Sequence, residues 1–157
     1  MRGWDSTTTS CGWTGQLSAG SQRAPRWRDH VVAIPEDDAA GVEQVGSSSV
    51  LGLLAKPIID LVVGLSRHHD LGAVRTRLEA AGWIYRGDAG DHGGHVFARE
   101  VRPWHRVAHL HVVDHGGTQW RDHVVLRDLL RRSSDARDKY EAVKLRLVEE
   151  LGDDRKA

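Results

Sequence analysis

The chain has 157 residues, with 22 lysines plus arginines against 22 aspartates plus glutamates, so its formal net charge is zero. That length suits one domain with a core of its own, and the charge balance gives no reason to expect nucleic acid or an anionic membrane as partner. A single cysteine, Cys11, excludes an internal disulfide framework and a cysteine-rich zinc site, and no apolar run is long enough to span a bilayer or to read as a signal peptide; the expected compartment is the cytoplasm.

Residues 1 to about 28 are rich in Ser, Thr and Gly, and they carry neither a helical nor a strand period, so they read as an irregular leader. From Val31 the chain turns apolar. Val42 to Val45 is a short candidate strand, followed by the small-residue turn Gly46-Ser47-Ser48-Ser49 and a possible helical turn over Val50 to Leu54. Pro57 opens Ile58-Ile59-Asp60-Leu61-Val62-Val63, the pattern of a strand buried on both faces. Asp70 can cap a helix whose face is Leu71, Val74, Leu78 and Ala81, and Gly82 stops it. Trp83-Ile84-Tyr85 and His95 to Val101 read as a hairpin around the loop Gly87 to Gly94.

Arg106 to Val113 is the next strand, alternating so that Val107, His109, His111 and Val113 share a face. Helices follow over about 119 to 131, with Val125, Leu126, Leu129 and Leu130 apolar, and from a Ser134 cap through Ala136, Tyr140, Val143 and Leu147. A polar tail, 152–157, closes the chain after Gly152. The order predicts a mixed α/β (α+β) domain over 29–151, a mixed sheet flanked by helices.

Three constellations carry chemistry. Gly46 would let backbone amides approach an anion, with the hydroxyls of Ser47 and Ser48 as further donors; a plain serine-capped turn is the alternative. Asp60 is a carboxylate inside an apolar strand, so it needs a partner on another strand, either in a site or as a structural hydrogen bond. His109 and His111 present two imidazoles on one face, as metal ligands, proton-transfer groups or polar lining of a wet sheet face. With Asp60, or His95 or His105, they could hold zinc, iron or manganese, so a divalent metal is the one cofactor suggested. Lys56 and Arg106 could balance an anionic ligand near the strand ends. Arg127 and Arg131 share a helix face, either to clamp phosphate or to pair with Asp128 and Asp135 in solvent.

The run Val45-Gly46-Ser47-Ser48-Ser49-Val50-Leu51-Gly52-Leu53-Leu54-Ala55-Lys56-Pro57-Ile58-Ile59-Asp60-Leu61 resembles the GrpB signature. His109-Leu110-His111-Val112-Val113, then Trp120, Arg127 to Arg131, Tyr140 and Lys144, resembles the family's second signature. The resemblance runs from about Val42 to Leu151. It implies a nucleotidyltransferase-like fold, with some relatives fused behind dephospho-CoA kinase domains. It further implies a phosphate-binding turn at Gly46, Ser47 and Ser48, and Asp60 as the first of the aspartates that hold metal in catalytic nucleotidyltransferases. Here the second metal-binding position is Val62. Leu51 and Gln44 also depart from the usual proline and histidine. Residues 1–28 do not resemble the family's leading helix, whose loss would leave one sheet face short of cover.

Two functions stay open from these residues. One is a nucleotide or phosphorylated-ligand site, transferase-like if it is an enzyme, without standard two-metal transfer. The other is a non-catalytic accessory domain that binds a protein partner.

Overall fold

A computed structural model describes residues 31, 33–34, 37–88, 94–103 and 105–151. The leader, the loop tip around His92 and the tail after Leu151 lie outside the described residues. Five strands form one sheet: β1 (Ala39–Val45), β2 (Ile59–Leu65), β3 (Ile84–Asp88), β4 (His95–Arg102) and β5 (His105–Asp114), in the order β1-β2-β5-β4-β3. Only β2 and β5 run parallel; the other neighbours are antiparallel. Helices α1 (Leu71–Ala80), α2 (Thr118–Arg132) and α3 (Ser134–Leu151) complete the expected mixed α/β class.

The strand alternation decides what each face buries. From β5, Ala108, Leu110 and Val112 join Leu61, Val63 and Leu65 of β2 in the main core. Against them pack Val74 and Leu78 of α1, both fully buried. Ten residues are too few for a stable isolated helix, so α1 depends on these two side chains, each contributing about 2 kcal/mol by burial. Its start is fixed as expected: the Asp70 carboxylate accepts from the amides of Gly72 and Ala73. Val31 and Ile34, ahead of β1, also enter this core, so the segment before the first strand does supply cover.

On the opposite face, Val45, Val62 and Val113 form a small cluster beneath Trp120 of α2. A third cluster joins Val50, Leu53 and Leu130 to Ala136 and Tyr140 of α3. β2 is thus buried on both faces, as its apolar run predicts.

Several boundaries differ from the sequence reading. β1 begins at Ala39 rather than Val42, because Ala39 and Gly41 pair with Leu65 and Gly64 across an irregularity at Ala40, a stretch that offers no apolar alternation. The helical turn is a 3-10 turn at Ser47–Ser49, and Val50 is already extended. The α3 cap is Ser133, not Ser134: its hydroxyl accepts from the Ala136 amide at 3.1 Å. In α2, Val125, Leu126 and Leu129 are exposed, and only Leu130 of that set is buried. The inward stripe is instead Trp120, His123, Arg127 and Leu130, spaced 3, 4 and 3, which is half polar.

Candidate functional site

β1 ends at Val45, and Gly46 turns the chain with φ 67° and ψ −175°, a region that essentially only glycine occupies. This turn carries Gly46 against the neighbouring strand: a Cβ there would lie 2.5 Å from Asp60 Oδ2. The Ser49 hydroxyl and amide both donate to the Gly46 carbonyl, at 2.7 and 3.2 Å. Ser48 Oγ is buried without a hydrogen-bond partner among the described residues.

The last two helices pin the turn from outside. Lys144 Nζ donates to Ser47 Oγ at 2.7 Å and to the Leu54 carbonyl at 3.2 Å, and Glu141 Oε1 accepts from the Leu54 amide. Arg131 donates twice to the Ser49 carbonyl, at 3.1 and 3.0 Å. Positive charge at the turn therefore comes from Lys144 and Arg131. Lys56 and Arg106, expected in that role, do not line the cleft described below. Arg106 instead pairs with Glu100 at 3.7 Å, toward the start of β5.

Asp60 and His109 are direct partners in the parallel register of β2 and β5. His109 Nδ1 donates to Asp60 Oδ1 at 3.1 Å, which supplies the cross-strand partner that the sequence demanded. Both side chains retain partial exposure, 28% for His109 and 29% for Asp60. Asp60 is thus not sunk in the core; it stands at the mouth of a cleft. His111, two residues on, turns to α2, where its ring meets His123 with centroids 4.6 Å apart and planes at 48°. Burial, then the neighbouring His123, pushes the His111 pKa down to about 4, against an upward pull from Asp60. Burial also lowers His123, opposed by Asp60 and Asp122. Both imidazoles are therefore uncharged at neutral pH.

Arg127 is buried at the same interface. It reaches Glu43 Oε2 and Asp128 Oδ1 at 2.8 Å and the Gln44 carbonyl at 3.2 Å. Burial works against its charge, but its hydrogen bonds to the Asp128 and Glu43 carboxylates outweigh that and raise its pKa. Arg127 is thus an internal tie between helix and edge strand, neither a solvated residue nor a free phosphate clamp. Asp135 pairs with Lys139 instead of Arg131.

These elements enclose a cleft of about 360 Å³ lined by Val45, Gly46, Asp60, His111, Asp122, His123, Leu126, Arg127, Leu130 and Tyr140. Gly46, Asp60 and His111 all line it. Ser47 and Ser48 sit in the turn beside it, and His109 stands behind Asp60. His95 bonds to the Tyr85 hydroxyl at 2.8 Å, away from this cluster, and His105 is exposed at the start of β5, so neither is a third ligand. Among the described residues, no three His, Cys, Asp or Glu side chains are grouped to hold a metal ion, the expected set of Asp60, His109 and His111 included. Val62 is fully buried under Trp120, which leaves no place on β2 for a second metal-binding oxygen.

Sequence reasoning missed His123, Asp122 and Lys144 as site members. The stripe from Trp120 to Leu130 was the available signal for His123. The others follow only from where α2 and α3 dock.

Comparison with known proteins agrees with the motifs. The chain is 32% identical to the glutamate-rich protein GrpB of Alkalihalophilus pseudofirmus over 72% of this chain and 67% of that one. It is 33% identical to a UPF0157 protein of Deinococcus radiodurans over 82% of this chain and 63% of the relative. A UPF0157 protein of Streptomyces coelicolor is 37% identical over 72% of this chain and 58% of its own length. The matches thus span about 58–67% of these relatives. The crystal structure of the conserved protein GrpB from Enterococcus faecalis superposes with a TM-score of 0.67 at 25% identity, covering 94% of this chain and 84% of that one. Since the family model described as GrpB protein matches residues 18–157, this chain belongs to the GrpB family.

Proposed function

We propose that the chain binds a phosphorylated small molecule such as a nucleotide, with its phosphate at the Gly46–Ser49 turn and the rest of the ligand in the adjoining cleft. The observation that carries this reading is the junction of Gly46 with Asp60, where a glycine in a conformation closed to other residues opens a serine turn onto a cleft lined by a carboxylate and uncharged imidazoles. Lys144 and Arg131 stand at the turn to balance an anion, and Ser48 Oγ has a hydrogen bond to offer. Asp60 and Asp122 would repel a phosphate from the cleft and favour ligand groups that donate hydrogen bonds. Asp60 and His111 would face the ligand, with His111 accepting a hydrogen bond as an uncharged imidazole and His109 orienting Asp60. The nucleotidyltransferase-like fold that the GrpB resemblance implies would suit a ligand of this class.

Standard two-metal nucleotidyl transfer is not part of the proposal. That chemistry needs two divalent ions held largely by carboxylate oxygens. Asp60 is the sole carboxylate on β2, and Val62 fills the second position.

The test is thermal melting of the protein with nucleotides, coenzyme A precursors and inorganic phosphate. At ten times its Kd a ligand should stabilise the fold by about 1.4 kcal/mol, a visible rise in Tm. No shift with any of them at millimolar concentration would refute the reading. With labelled triphosphates and magnesium or manganese, no pyrophosphate should be released; release that disappears in Asp60→Asn would restore the transferase.

A second reading rests on a separate observation. Val125, Leu126, Leu129, Val143 and Leu145 of the last two helices are all 44–61% exposed. Apolar side chains on adjacent helices suit a protein partner, as an accessory domain would require. Loss of a partner with Val125→Asp and Leu129→Asp, the fold intact, would support it.

A further inference from the structure

His111 comes from β5 and His123 from α2, so their contact spans the interface between sheet and helix. Both rings line the cleft beside Asp60 and Asp122. The cationic side chain among the lining residues, Arg127, already serves Glu43 and Asp128. The cleft is therefore a place of negative potential holding two imidazoles, which attracts a cation.

We propose that His111 and His123 together chelate one divalent transition-metal ion, with its remaining positions taken by water or by an oxygen of a bound ligand. Imidazole nitrogen favours zinc, cobalt, nickel or copper over magnesium. Each ring is carried by a fixed element. β5 is central in the sheet, and α2 is tied to β1 through Arg127 and Glu43 one turn beyond His123. The pair is thus largely positioned before metal arrives, and a small rotation of the rings completes it. Because no third protein ligand converges among the described residues, the site is open and should bind with moderate affinity. His109 is left out of the ligand set because it does not line the cleft that holds His111 and His123.

The proposal stands apart from phosphate binding, because the probe is the metal alone. Full-length protein without an affinity tag is titrated with cobalt(II), followed by visible absorption, and with zinc by calorimetry. One saturable site is expected. His123→Gln should weaken it by at least about tenfold, a difference of about 1.4 kcal/mol, and His111→Gln by a similar factor. The exposed-site control His68→Gln should leave it nearly unchanged. Undiminished binding in His123→Gln, or no saturation in the submillimolar range, overturns the proposal. Should His111→Gln fail to fold, nickel(II) added to wild-type protein must broaden the His111 and His123 imidazole NMR signals first. Earlier broadening of any other histidine would place the ion elsewhere.

Discussion

Gly46→Ala is the most informative single substitution. Alanine at φ 67°, ψ −175° carries a backbone strain of about 1–3 kcal/mol. Its Cβ would also come within 2.5 Å of Asp60 Oδ2 and 3.1 Å of Asp60 Cβ, so the carboxylate must swing away from His109. A charge-assisted hydrogen bond contributes about 1.5–3 kcal/mol when fully buried, and partial exposure of both partners lowers that to about 1 kcal/mol. The expected loss is therefore about 2–4 kcal/mol. Asp60→Ala separates the two causes by removing the oxygen contact while leaving the strain. In an Asp60→Ala background, Gly46→Ala should cost about 1 kcal/mol less than in wild type. Urea unfolding followed by circular dichroism reads all four proteins of the cycle. A Gly46→Ala protein within about 0.5 kcal/mol of wild type would refute the claim that this turn demands glycine and is seated on Asp60.

Arg127→Met should cost about 1–3 kcal/mol in urea unfolding, since it strips Glu43 and the Gln44 carbonyl of their donor and loosens α2 from β1. Gly64→Ala would place a Cβ 2.9 Å from the Cα of His115, so overpacking of about 1–3 kcal/mol should lower Tm. Metal-free protein should lose stability as pH falls from about 6.5 to 4. Across that window the unfolded chain protonates its histidine while folded His111, held at about 4, does not, an effect on the order of 3 kcal/mol. A urea series against pH should flatten in His111→Gln, and an unchanged slope would contradict the burial of that ring. Lys144→Met should remove any stabilisation by phosphate-bearing ligands in thermal melts while the melt of the free protein moves less.

The sheet was legible because its signals are local. The alternation in His109, His111 and Val113 against Ala108, Leu110 and Val112 sets the two faces of β5, and Asp70 announces α1. Asp60 was legible as an outlier in an apolar run, and its partner proved to be one of the two histidines already marked. The helices misled because hydrophobicity was read without knowing which side faces inward. Val125 and Leu129 suggest a buried stripe, yet α2 docks through Trp120, His123, Arg127 and Leu130, where ion pairs replace apolar packing. Lys56 and Arg106 stand near strand ends in the sequence, yet neither lines the cleft. Lys144 comes 97 residues after Ser47 and reaches it only because α3 folds back over the turn.

Under the proposed function, a phosphate-bearing ligand occupies the Gly46–Ser49 turn and the cleft beside it. The most direct measurement is an amide and side-chain NMR titration of the full chain with nucleotides and with inorganic phosphate. The amides of Ser47 and Ser48 should shift with phosphate itself, and His111 and Tyr140 should join them only when the ligand carries an organic part. Shifts confined to the separate groove lined by Arg86, Arg102 and Pro103, or none at millimolar ligand, would contradict the account.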